Sequence, residues 1–285
     1  MGAPDPERMR SRMSTSPARA SARLSPQSGR WPGARARLLP WLLPAAVLTG
    51  WQAASSAGLV STRFMPAPLD VLAAGWRLAG TGELWTNLGV SFLRAATGFL
   101  IGGGIGFLLG LANGLSRLSE GLTDTTVQMI RNIPHLSLIP LVILWFGIGE
   151  EAKLFLVALG VFFPIYANTL HGIRSVDPQL IEMGRVYGLS RATLFRRVVL
   201  PGALPSVFVG LRYALGIMWL TLIVAETISA SSGLGYMAMQ AREFMLVDVV
   251  VLAIVIYAGL GKVADALTRQ LERACLAWNP AYRAA

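Results

Sequence analysis

The chain reads as an all-α polytopic membrane protein with six transmembrane helices. Three observations predict this. Hydrophobic residues make up 54% of the 285 and charged residues only 14%, where soluble domains carry about a quarter charged. Mean hydropathy is positive. Several long runs also approach the roughly 20 apolar residues that a helix needs to cross about 30 Å of hydrocarbon. The apolar residues are therefore not those of a large soluble core. The single cysteine, Cys275, excludes an internal disulfide or a cysteine metal cluster. Two histidines, His135 and His171, leave little for metal or acid–base chemistry.

The elements follow in chain order. Residues 1–37 carry eight arginines, from Arg8 to Arg37, against Asp5 and Glu7, and read as a disordered basic tail in the cytosol. Their Ser-rich, acid-poor character also fits an organellar transit peptide. They do not fit a secretory signal, because the basic region is too long and no short apolar stretch with a cleavage site follows. Residues 38–84 hold the first span, 38–60, and an external segment with Pro66, Pro68, Gly80 and Gly82 that has room for one short helix. The region 85–275 holds the other five spans: 88–113, 125–147 interrupted by Pro134 and Pro140, 153–171 containing Pro164, 204–228 and 248–268. Residues 276–285 form a C-terminal tail.

Basic residues orient these spans. Arg117, Arg174, Arg185, Arg191, Arg196, Arg197, Arg269, Arg273 and Arg283 fall on the side of the N-terminal tail. The other side has Arg63, Arg77, Lys153 and Arg242, largely balanced by Asp70, Glu83, Glu150, Glu151 and Glu243. Lys and Arg concentrate on cytosolic loops, so both termini are expected in the cytosol. The net charge of +10 thus has a topological explanation and does not call for nucleic acid.

Within the second span, Gly98, Gly102, Gly106, Gly110 and Gly114 recur every four residues. Small residues at that spacing let helix backbones approach closely in lipid. On an ideal helix the stripe drifts by about 40° per step, so it is expected to wind around the span. The glycines of "IGGGIG" are not a phosphate loop, since no Gly-Lys-Ser/Thr follows and no strand precedes. The chain is therefore expected to bind no nucleotide or other cofactor itself.

Five ionisable residues fall inside apolar runs: Arg94, Arg131, His135, Glu226 and Lys262. Such residues are costly in a membrane and often functional. Arg94 and Lys262, near span ends, read as snorkelling to water. His135 reads as a satisfied polar group beside a proline break. Glu226 fits two readings equally, a translocation path or partner contact (gating included), and a structural hydrogen bond. No catalytic triad, paired carboxylates or metal spacing can be assembled, so an enzyme is not expected. An ion-coupled carrier is a further alternative.

The loop "IEMGRVYGLSRATLFRRVVLPGALP", 181–205, is too polar to cross a bilayer. Asp177 and Pro178 make a helix start, and Leu180, Met183 and Tyr187 share a face. Gly188 is placed to end that helix. Ser190 can cap a second one, with Leu194, Phe195, Val198 and Val199 as its apolar strip and Pro201 closing it. Two short amphipathic helices bent at a glycine would lie along the cytosolic face. From composition alone, a surface helix on anionic lipid is an equal reading.

The order Glu182, Gly188, Val198, Leu200, Pro201 matches the pattern E-A-A-x3-G-x9-I-x-L-P, with Met183 and Gly184 for the alanines and Val198 for isoleucine. This resembles the permease subunits of binding-protein-dependent ABC importers. The likeness covers 85–275. "IPLVILWFGIGEEAK", "GIRSVDP" and "GLRYALGIMWLTLIVAETISASSGLGYM" are similar to the permeases for alkanesulfonates, taurine and nitrate, and 181–237 is most like those for aliphatic sulfonates. The resemblance implies the type I importer permease fold in a bacterial inner membrane. It implies coupling helices at 178–200, with Glu182, Met183, Gly184, Gly188, Leu200 and Pro201 seated on a cytosolic ATPase dimer that hydrolyses the ATP. It also implies a periplasmic substrate-binding protein, a second copy of this chain, and taurine or nitrate as alternative substrates.

Overall fold

A computed structural model describes residues 33–279, and among them there is no strand. The chain divides at Thr49–Gly50 into two units. Helix α1 (Gly33–Ser56) runs across that division, and every site below lies in the second unit. Residues 1–32 of the expected tail, and 280–285, lie outside the described residues. The tail's last residues, from Gly33, are already helical.

The short helix expected before the second span is α2 (Pro68–Thr81). The Asp70 carboxylate accepts from the Ala67 amide at 3.1 Å, satisfying a donor at its start, and Gly82 ends it at φ 83°. Then follow α3 (Glu83–Leu115), α4 (Arg117–Arg131), a 3-10 turn (His135–Leu138), α5 (Ile139–Phe146) and α6 (Glu150–Arg174). Next come α7 (Pro178–Val186), α8 (Arg191–Leu194), a π segment (Phe195–Val199) and α9 (Leu200–Ser229). The chain ends in α10 (Leu234–Glu243) and α11 (Val247–Cys275).

Four segments are long and apolar enough to cross a membrane: α3, α6, Arg191–Ile228 and α11. A fifth is possible if Arg117–Arg131 and His135–Phe146, bent by 81°, make one span. The interruption expected in the third span, 125–147, is at Pro134 a bend of 81°. Pro134 lacks an N–H and disfavours helix at Ile133, so the helix stops and restarts in a new direction. A sixth span would rest on α1, which is 24 residues long but does not pass the same test of length and hydropathy. Pro40, Pro44, Gln52 and the serines that follow dilute its apolar character.

The second helix of the 181–205 loop also differs from the expectation. Pro201 does not close it. Arg191–Leu194 continues through the π segment into α9, so the chain is helical from Arg191 to Ile228. The Leu200 amide reaches the carbonyl of Phe195, five residues back. This wider turn accommodates a proline, which has no N–H and whose ring crowds the preceding turn.

The main core joins α6, α9 and α11 through Val157, Val161, Ala214, Leu222, Ala253 and Tyr257. Away from it, Leu93, Leu100, Leu108, Leu220 and Ile254 are exposed. Such a surface suits a hydrocarbon surround and would be a liability in water.

Candidate functional site

The five stripe glycines of α3 do not wind around it. All of them face α6. A Cβ at Gly98 would come 2.6 Å from Val157, one at Gly106 2.6 Å from the Phe162 carbonyl, and one at Gly110 2.8 Å from the Tyr166 carbonyl. A Cβ at Gly114 would come 2.8 Å from Ile173, and one at Gly102 would fall on the backbone of Ala158. The drift expected of a lone straight helix disappears because its partner follows it: two helices in close contact wrap around each other and keep one seam.

At the Glu83 end of these helices sits a buried polar cluster. Glu226, 1% exposed, accepts from Ser91 Oγ at 2.8 Å, Arg94 Nη1 at 2.8 Å, the Gly235 amide at 2.9 Å and Tyr257 Oη at 3.0 Å. Arg94 is 5% exposed. It holds Glu150 in a two-pronged pair, Nε to Oε2 at 2.5 Å and Nη2 to Oε1 at 2.6 Å, and gives Nη1 to the Ser232 carbonyl at 2.6 Å. Lys153 Nζ completes the cluster with Glu150 Oε1 at 3.1 Å. Two cations thus balance two carboxylates. Planar guanidinium geometry suits such forked pairing.

Arg94 therefore turns inward and does not snorkel. Lys262 is exposed, and His135 Nε2 is bonded to Thr221 Oγ1 at 2.9 Å. The loop "SASSGLG" is folded onto the cluster. The Gly233 amide donates to Asn87 Oδ1 at 2.8 Å and the Leu234 amide to Ser91 Oγ at 2.8 Å. Gly233 has φ 110°, and a Cβ there would strike the Glu226 carboxylate. Sequence reasoning missed Ser91, Asn87 and Glu150 as partners. The available signal was an arginine and a glutamate of opposite charge, each set in an apolar run.

The segment that carries the importer-like pattern lies at the other end of α6. Asp177 caps α7 by accepting from the Gln179 amide at 2.8 Å, and Ser190 caps α8 by accepting from the Thr193 amide at 3.3 Å. Gly188 sits at φ 71°. The Leu189 amide returns to the Gly184 carbonyl at 3.0 Å and the Gly188 amide to Arg185 at 2.9 Å, the two bonds of a left-handed helix stop. Glu182 is exposed, as are Leu180, Met183, Val186 and Tyr187, the last two by 86% and 78%. Gly184 is buried, and a Cβ there would lie 2.5 Å from Leu194 Cδ1, so the missing side chain lets the two short helices close together. Leu200 and Pro201 are half-buried at the start of α9. Met183, Gly184 and Pro201 line one cavity of about 940 Å³ with Tyr187, Cys275 and Trp278; Glu182, Gly188 and Leu200 lie outside it.

A smaller cleft of about 420 Å³ opens between the α4–α5 bend, α6 and α9. Arg131, His135, Asn168 and Tyr213 supply its polar wall, and Phe163 and Ile217 part of its apolar one. Among the described residues, no group of three or more His, Cys, Asp or Glu is placed to hold a metal ion.

Comparison with known proteins places this geometry. A protein of Escherichia coli (strain K12) described as an aliphatic sulfonates transport permease, SsuC, is 62% identical over 246 residues, 86% of this chain and 94% of that one. The taurine transport system permease protein TauC of the same strain is 36% identical over 255 residues, 88% of this chain and 93% of that one. Among solved structures, the crystal structure of an amino acid ABC transporter with histidines aligns with 70% of this chain and 96% of that chain. Its TM-score is 0.53 at 20% identity, a likeness of fold alone. Residues 102–276, from inside the glycine stripe to the end of α11, match the model of the binding-protein-dependent transport system inner membrane component. The chain belongs to that family: it is a membrane component of a transport system and not an enzyme.

Proposed function

We propose that this chain forms the translocation path of an ATP-driven importer of aliphatic sulfonates in a bacterial inner membrane. The observation that carries the substrate is the 62% identity to SsuC over most of both chains, against 36% to TauC. Two copies of the chain would enclose the path. A cytosolic ATPase dimer would hydrolyse ATP, and a periplasmic binding protein would deliver substrate at the Glu83 end of α3.

The segment 178–201 is the coupling element in this reading. Its support is physical. Leu180, Met183, Val186 and Tyr187 form an exposed apolar ridge beside Glu182, on a helix too short to span a membrane. Contiguous apolar surface rimmed by charge marks a protein contact. Gly188 holds the ridge at a fixed angle to α9, and α9 is continuous with the π segment. A push on the ridge would therefore have only the Gly188 turn to cross before it enters a helix continuous with a membrane span. Glu226, with four donor groups around its two oxygens, is an anchor in this reading and not a gate.

The test is growth of a strain lacking this gene with single sulfur sources. Rescue by the wild-type chain on alkanesulfonates and not on taurine is the expected result. Rescue on taurine alone would move the substrate within the family. Glu182→Ala is expected to weaken co-purification of the ATPase, and unchanged recovery would count against its place in the seat.

A further inference from the structure

The cleft beside the α4–α5 bend lies halfway through the membrane helices. Gly160 and Pro164 flank the midpoint of α6, and Tyr213 and Ile217 straddle the midpoint of α9. Arg131 is exposed there, and among the described residues it has no carboxylate or hydrogen-bond partner. A guanidinium cannot be left against hydrocarbon at that depth; such groups face water-filled cavities or partners. Tyr213 is 67% exposed on the same cleft, and its hydroxyl is likewise unpartnered. Two neighbouring nitrogens are already used: His135 Nε2 bonds Thr221 Oγ1, and Asn168 Nδ2 donates to the Pro164 carbonyl at 2.9 Å. No acidic residue lines the cleft.

We propose that this cleft is an anion-selective station on the translocation path, where Arg131 and the Tyr213 hydroxyl receive the sulfonate head of the substrate. The alkyl tail lies against Phe163 and Ile217. This rests on the sulfonate reading above and deepens it. A fork of guanidinium donors matches two oxygens of an oxyanion, and a phenol can supply a third hydrogen bond. Arg131 carries the charge, and neither donor makes an internal bond, so the head group displaces only water and can leave again. Small volume and an apolar wall suit a short organic anion more than a hydrated inorganic one.

The test uses intact cells whose only source of this chain is the plasmid copy, with Cys275→Ser as background because Cys275 is the single cysteine. Arg131→Cys is expected to lower uptake of labelled pentanesulfonate about tenfold or more at equal membrane abundance. Trimethylammonioethyl methanethiosulfonate, which restores a positive charge, recovers uptake; the sulfonatoethyl reagent does not. Arg131→Lys retains most uptake and Arg131→Gln does not, which gives the same answer if the cysteine variant fails to accumulate. Uptake at the wild-type rate in Arg131→Gln overturns the inference. So does absence of labelling by either charged reagent, which would remove Arg131 from an aqueous path. If the wild-type chain itself imports no sulfonate, the sulfonate assignment falls; if it does and the Arg131 variants match it, only the anion station falls.

Discussion

Arg94 and Arg131 are the same residue type in apolar surroundings, and the fold treats them oppositely. Arg94 is 5% exposed and bonded to Glu150, Glu226 and Ser232. Arg131 is exposed in a cleft with no partner among the described residues. The first cluster is largely internal: Arg94, Lys153 and Glu226 are buried and bonded within it, and all five Arg94 N–H groups have acceptors, while Glu150 keeps an exposed face. The second offers unpaired donors and no carboxylate. A charge inside a membrane protein therefore has two uses, and counting partners tells them apart. The bonded charges hold helices together, and on the proposal above the unbonded Arg131 receives a solute.

That contrast can be broken most severely at Glu226. Removing it leaves Arg94 buried beside a single carboxylate and strands Ser91, Tyr257 and the Gly235 amide, so Glu226→Ala should cost about 3–5 kcal/mol. Thermal unfolding in detergent should show a large fall in Tm, and an unchanged Tm would contradict the anchor role. Next is the seam. Gly102→Val drives a branched side chain into the Ala158 backbone, and overpacking of this kind costs about 1–3 kcal/mol. Loss of membrane-extractable protein measures it; normal yield and Tm would mean that α3 can slide on α6.

Gly188 should give a smaller effect on stability with a larger one on transport. At φ 71° any other residue is strained by about 1–2 kcal/mol, yet no side chain or backbone lies within 4 Å of a Cβ there. Gly188→Arg should insert normally and fail to transport, read as sulfonate-dependent growth with membrane abundance as control. Transport at the normal rate would remove the coupling role from this turn. The smallest stability effect is expected at Arg131. Arg131→Gln should leave Tm within the shift that about 0.5 kcal/mol produces, while abolishing most uptake. A fall in Tm like that of Glu226→Ala would erase the distinction between the two arginines.

Much of the fold was legible because much of it is local. The helix starts at Asp177 and Ser190 and the stop at Gly188 depend on neighbours a few residues away, and each is present as capping chemistry requires. Pro134 breaks its span as prolines do. Pro201 misled for a specific reason: whether a proline ends a helix depends on the turn before it, and a π segment at Phe195–Val199 let the helix pass. The site was less legible. Arg94 near a span end looked ready to reach water, and nothing nearby in the chain announces Glu226, 132 residues away, as its partner.

Composition, the glycine spacing and the Glu182–Pro201 pattern together determined that this chain is a helical membrane component of a transport system. These signals survive in one dimension because bilayer thickness, helix rise and local caps all act along the chain. Tertiary structure alone decided which face of α3 meets α6, which arginine is spent on Glu226, and which is left open at mid-depth. Those outcomes depend on helices meeting across the bilayer. In that medium an unpaired charge is costly enough that the packing must either neutralise it or give it water.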